Sequence, residues 1–183
     1  AYVTSGDVVS AYRAVQAMPY FSGPDRTPLA ALRTGRGACT AKHLVLRDVR
    51  RRIGQGAVVE LGEGDFASGV PVHPSQPEDL QRMIRDGGVV DFHCRVRLED
   101  GRKLDATWSP ALRRWGFPAA EWDGTGDTAQ AIARVTVRSR DEDVLGRKAR
   151  LLETLSEEDS VRRLRFLALL SGWLAGLPPV GGE

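Results

Sequence analysis

The chain has 183 residues, 42% of them hydrophobic, which is enough for one domain with a substantial core. Its 26 basic side chains nearly balance 24 acidic ones, so no strongly basic face argues for nucleic acid; that arginine supplies 23 of the cations fits a coding bias as easily as recognition of phosphates or carboxylates. Two cysteines exclude a disulfide framework, and with no signal peptide and no apolar run of bilayer-spanning length the chain reads as cytoplasmic, with reduced thiols and no membrane partner.

In chain order, Val8, Val9, Tyr12, Val15 and Met18 recur at helical spacing and predict a helix over 7–18, with Ser5 and Asp7 as caps and Pro19 as its stop. The loop FSGPDRTP leads into a helical turn near 28–32. The stretch RTGRGACTAKHLVLRDVRRRIG, residues 33–54, predicts a helix over 38–53 striped by Leu44, Val45, Val49 and Ile53, with Arg50, Arg51 and Arg52 as a solvated basic end and Gly54 as the C-cap. Cys39 falls in its first turn.

AVVELGEG reads as a strand, and PSQPEDLQRMIRDGG as a helix opened by Ser75 and Glu78 in capping-box spacing. VVDFHCRVRLEDGRKLDATW (89–108) predicts a hairpin about Glu99, Asp100 and Gly101, and ARVTVRS (133–139) a further strand. From Asp141 the tail is helical: Ser156 caps an apolar helix through Phe166 and Trp173 that Pro178 and Pro179 end. No repeat or shift in composition marks a second domain, so residues 1–183 are expected to form one domain, with a core over about 1–140 and a helical extension over about 141–178.

A thiol at a helix N-terminus meets the positive end of the macrodipole and unpaired backbone N–H groups, which lower its pKa and suit it to attack an acyl carbon. On position alone, Cys39 reads either as such a nucleophile or as a small core residue. His43, one turn on, and His73, between prolines, read as structural or loop histidines. His93 differs, because Phe92, Cys94 and Val96 alternate with it and turn it away from the apolar face.

The hairpin register decides what His93 meets. A two-residue Asp100-Gly101 turn sets His93 against Trp108 and sends Asp105 to the other face; a three-residue turn with Gly101 as the left-handed bulge residue sets Leu98 against Arg102 and Arg95 against Asp105. In the second register His93 and Asp105 are diagonal neighbours, roughly 7–8 Å apart at the backbone, and Leu104, Ala106 and Trp108 join the apolar side. That agreement of pattern and chemistry selects it. Cys39, His93 and Asp105 are then the candidate nucleophile, base and orienting carboxylate. Cys94, pointing into the apolar face, is expected to be buried and unreactive; a metal site from the trio lacks the usual ligand spacing, and the reading includes neither metal nor cofactor.

GRGACTAKHLVLRDVRRRIG followed by DFHCRVRLEDGRKLDATW resembles the core of the transglutaminase-like superfamily, with cysteine at a helix start, histidine on a strand and aspartate in an LDATW segment on the next, over about residues 30–110. The resemblance implies an α+β, papain-like fold: the cysteine-bearing helix packs on an antiparallel sheet, with C-terminal helices added. It implies the same three roles for Cys39, His93 and Asp105, and a peptide, protein or small amide or ester as substrate. The expected function is cysteine-dependent acyl transfer through a thioester. A catalytically inactive binding module for a peptide or protein is the alternative, since the match supplies no side-chain oxyanion donor upstream of Cys39, and LRFLALLSGWLAGL could pack on a partner.

Overall fold

Over residues 5–178, which the computed structural model describes, the chain forms six α-helices and a four-stranded antiparallel sheet. The helices are α1 (Ser5–Ala17), α2 (Pro28–Thr34), α3 (Cys39–Arg52), α4 (Glu78–Asp86), α5 (Val144–Leu152) and α6 (Glu157–Ala175); the strands are β1 (Ala57–Asp65), β2 (Val90–Leu98), β3 (Lys103–Leu104) and β4 (Thr136–Ser139), in the order β3-β2-β1-β4. The side chains of Ser5 and Asp7, expected as caps, and Pro179, expected as a stop, lie outside the described residues.

Local chemistry accounts for most of the boundaries. Thr27 caps α2 by accepting the Ala30 N–H, Pro28 fills its first position, and Gly35 leaves it at φ 65°. Ser156 caps α6 by accepting the Asp159 N–H. At α4 the expected capping box is absent: the helix starts after Pro77, and the Ser75 hydroxyl instead bonds His73 Nδ1 at 2.8 Å and accepts from Trp173 Nε1 at 3.1 Å. His73 lies in a loop as expected, but half-buried and edge-on to Trp115, 4.6 Å between ring centres. The basic end of α3 also departs from expectation, since Arg50 is buried with its guanidinium over the Trp122 ring.

β1 and β2 pair along nine residues, from Ala57 opposite Leu98 to Asp65 opposite Val90. Helix α3 packs on the face carrying Phe92, Cys94 and Val96, sharing one buried cluster with them through Leu44, Val45 and Leu46; Val144 of α5 joins it. The opposite face is ionic. There Glu60 accepts from Arg95 at 3.0 Å and from Arg140 at 2.8 Å. A second cluster unites Phe66, Leu80 and Trp108 with Phe166, Leu170 and Trp173 of α6, so the apolar stripe of the last helix is buried against its own chain. Trp108, expected beside Phe92, belongs to this second cluster. Among the described residues no helix is long and apolar enough to cross a membrane.

The hairpin takes the three-residue turn: Val96 faces Leu104, Arg97 faces Lys103, Leu98 N–H donates to Arg102 C=O, and Gly101 has φ 92°. The returning strand is shorter than LDATW suggests, because its backbone donors go to side chains after Leu104. Asp105 N–H donates to Thr128 Oγ1 at 2.6 Å, Ala106 N–H to His43 Nε2 at 2.8 Å and Thr107 N–H to Asp105 Oδ1 at 3.0 Å.

Candidate active site

His93 Nε2 lies 2.7 Å from Asp105 Oδ2, both side chains buried. The carboxylate is held on every side: Oδ2 also accepts the Ala131 N–H at 2.8 Å, Oδ1 accepts Thr107 N–H, and the main-chain carbonyl accepts the Tyr12 hydroxyl at 2.8 Å. Burial opposes charge on Asp105, but the His93 charge and hydrogen bond, then His43 and Thr107, hold it well below the usual carboxylate range. Burial likewise pushes the His93 ring down; the Asp105 carboxylate, its hydrogen bond and then Cys39 carry it up to about 10.

Cys39 is the first residue of α3, which no side chain caps, so the N–H groups of its first turn are left for whatever charge develops there. Gly37 N–H donates to Pro19 C=O and Gly37 C=O accepts Phe21 N–H, so the 19–21 segment runs alongside the approach to the helix. The Lys42 ammonium locks this arrangement by donating to the carbonyls of Gln16, Met18 and Thr107, at 3.2, 2.8 and 2.9 Å. Its first cause being burial, the amine falls to a pKa of about 7.

With Nε2 engaged, His93 Nδ1 is buried without a hydrogen-bond partner, and the charges of His93 and Cys39 each favour the ionised form of the other. A hydrogen bond from Cys94 is the largest cause that lowers the Cys39 thiol, burial opposes it, and the charges of Lys148 and His93 add to it, so the thiol falls well below its ordinary value.

Three further groups border the site, of which the sequence singles out Cys94 and His43 as structural but not Lys148. Cys94 is buried as expected, but its sulfur is not simply core: it lies 3.5 Å from Thr40 Oγ1 and beside Cys39, whose hydrogen bond and the surrounding burial push the Cys94 thiol up so that it keeps its proton. Lys148 reaches in from α5, its Nζ 4.0 Å from the Cys39 sulfur, 3.2 Å from Thr40 Oγ1 and 3.9 Å from Asp91 Oδ1; Asp91 in turn accepts from Arg163 Nε at 2.6 Å. Burial disfavours the ammonium, yet Asp91, Cys39 and Cys94 raise it above the usual lysine value. A signal for it was present, because a chain that uses arginine for its surface cations marks its three lysines. His43 is the third. Its Nδ1–H donates to Cys39 C=O at 2.7 Å and its Nε2 accepts the Ala106 N–H, so partner chemistry fixes a neutral tautomer; burial, above all, lowers it to about 4.

Among the described residues, no group of three or more His, Cys, Asp or Glu side chains is disposed to hold a metal ion. No family model, curated protein or solved structure matches the chain.

Proposed function

We propose that the chain is a cysteine-dependent acyl-transfer enzyme with a transglutaminase-like, papain-like core, in which Cys39 is the nucleophile, His93 the acid and base, and Asp105 the group that orients the ring. One observation carries this reading: the buried His93 ring is fixed to the Asp105 carboxylate through Nε2 at 2.7 Å, with Nδ1 left unpartnered, and is coupled to the thiol at the start of α3.

The steps follow from the charges. The thiolate attacks the carbonyl carbon of an amide or ester, and the C=O electron pair moves to oxygen. The uncapped N–H groups of α3 and the Lys148 ammonium, already set against the negative sulfur, face the charge now on oxygen. Collapse expels the amine or alcohol, which takes the proton from His93 Nδ1, leaving a thioester. Neutral His93 then takes a proton from water or an amine as it attacks, and the thiolate is released.

A second reading, a catalytically inactive module that binds a peptide or protein, is favoured by the burial of Cys39, which is 3% exposed. Turnover separates the two. Slow hydrolysis or aminolysis of small thioester and amide probes that vanishes in Cys39→Ala supports the enzyme, and turnover that persists in Cys39→Ala, or is absent from the native chain, supports the module.

A further inference from the structure

We infer that the cavity between the 23–27 loop and helices α5 and α6 receives the acyl group of the substrate, and that this group is uncharged and apolar. The inference rests on the acyl-transfer reading and names the substrate class of that site.

Position comes first. The cavity encloses about 650 Å³, within the roughly 300–1,000 Å³ of small-ligand sites. Two of its lining residues, Thr40 and Lys148, are the groups that touch the Cys39 sulfur, at 3.9 and 4.0 Å. A chain lying in the cavity therefore ends against Thr40 and Lys148, one contact short of the buried nucleophile. Cavities elsewhere lead to other parts of the molecule: the 700 Å³ groove between α4 and α6 is lined by Asp79, Arg82 and Arg165 and includes none of the groups about Cys39.

Chemistry comes second. Helices α5 and α6 contribute Leu145, Ala149, Leu152 and Leu164, and Leu145 and Leu164 remain 37% and 59% exposed, apolar surface that a ligand would cover. The charges at the inner end of the cavity are matched: Lys148 and Arg163 both lie against Asp91, and Lys148 also meets the Cys39 sulfur, while at the rim Arg26 donates to Gly23 C=O and Ser22 Oγ and Asp25 accepts the Thr27 N–H. An acyl group bearing a carboxylate or ammonium at the inner end would bring an unmatched charge there, whereas each methylene moved from water onto the leucines gains roughly fourfold in binding.

The test uses the full chain and alkylating probes that form a C–S bond to Cys39 with loss of iodide, read by peptide mass spectrometry. Iodoacetamide is compared with N-hexyl-iodoacetamide and with its counterpart ending in a carboxylate. The inference expects the hexyl reagent to label Cys39 at least tenfold faster than iodoacetamide, with no such gain for the carboxylate. It also expects Leu164→Asp and Leu145→Asp each to lower the hexyl-to-iodoacetamide ratio, and the exposed Val161→Asp on the same helix to leave that ratio unchanged. Equal rates for the first two reagents, a faster carboxylate, or a ratio untouched by Leu164→Asp would overturn it while leaving the nucleophile in place. Failure of all three reagents to modify Cys39 would remove the acyl-transfer reading and the cavity assignment together.

Discussion

The Lys148 ammonium stands 4.0 Å from the Cys39 sulfur across 109 positions of sequence. The C-terminal helices thus supply a charge to the site that the helix and hairpin would otherwise assemble by themselves. Because Asp91 keeps its 2.6 Å bond to Arg163, Lys148 can be neutralised without leaving that carboxylate bare.

Lys148→Met should therefore fold and raise the Cys39 pKa. With that opposite charge gone, the pH profile of Cys39 alkylation by iodoacetamide should move to higher pH. An unchanged pH profile would show that the ammonium does not support the thiolate.

Asp105→Asn keeps the size of the side chain and removes its charge. The ring of His93 should then lose the main influence that raises it, and turnover should drop by about 10³–10⁴-fold. Oδ2 accepts both the His93 ring and the Ala131 N–H, so an amide nitrogen placed there meets two donors, and a loss of about 1–3 kcal/mol in urea unfolding should accompany the kinetic effect.

Thermodynamic linkage gives a third test. His93, raised in the fold to about 10, contributes stability that is present below its unfolded pKa near 6.5 and is lost as pH rises toward 10. Cys39, lowered in the fold, has the opposite sign: its contribution grows as pH rises to the unfolded value of about 8.5. Between these unfolded values the native pair and the unfolded pair each hold one proton, so the two slopes cancel. Cys39→Ala removes one slope, and its stability relative to the native chain should fall across pH 6.5–8.5 by up to about 1.4 kcal/mol per pH unit. Denaturation curves at three pH values would measure this; parallel profiles would mean that thiol and imidazole are not ionised together.

His43→Leu leaves the Ala106 N–H and the Cys39 C=O without their partner, in a buried place. The expected cost is about 2–4 kcal/mol. His43→Asn, which retains one acceptor and one donor, should recover part of it. In the native chain, the neutral ring costs stability as pH falls from 6.5 toward 4, because the unfolded ring takes a proton there and the buried one does not.

Gly101 and the alternation of Phe92, Cys94 and Val96 were sufficient to set the hairpin register, and with it the diagonal meeting of His93 and Asp105. Those cues are local. The end of β3 after Leu104 was not legible, since it depends on Thr128 and His43 accepting backbone donors from distant positions. Parity assigns Cys94 to the core correctly but says nothing of the second thiol its sulfur meets there. Arg50 shows the same limit: an arginine run reads as solvated until a tryptophan 72 positions on offers one member a ring to lie on.

Of the three lysines, Lys42 and Lys148 are buried in the framework of the site, and Lys103 faces Asp127 at 3.8 Å. Everything else positive on the side chains of this protein, histidine aside, is guanidinium, which at neutral pH is too weak a nucleophile to capture an acyl group. A catalyst that hands acyl groups to amines would thus present almost no side-chain acceptor of its own, and at high concentration it would be spared from joining one copy of itself to another.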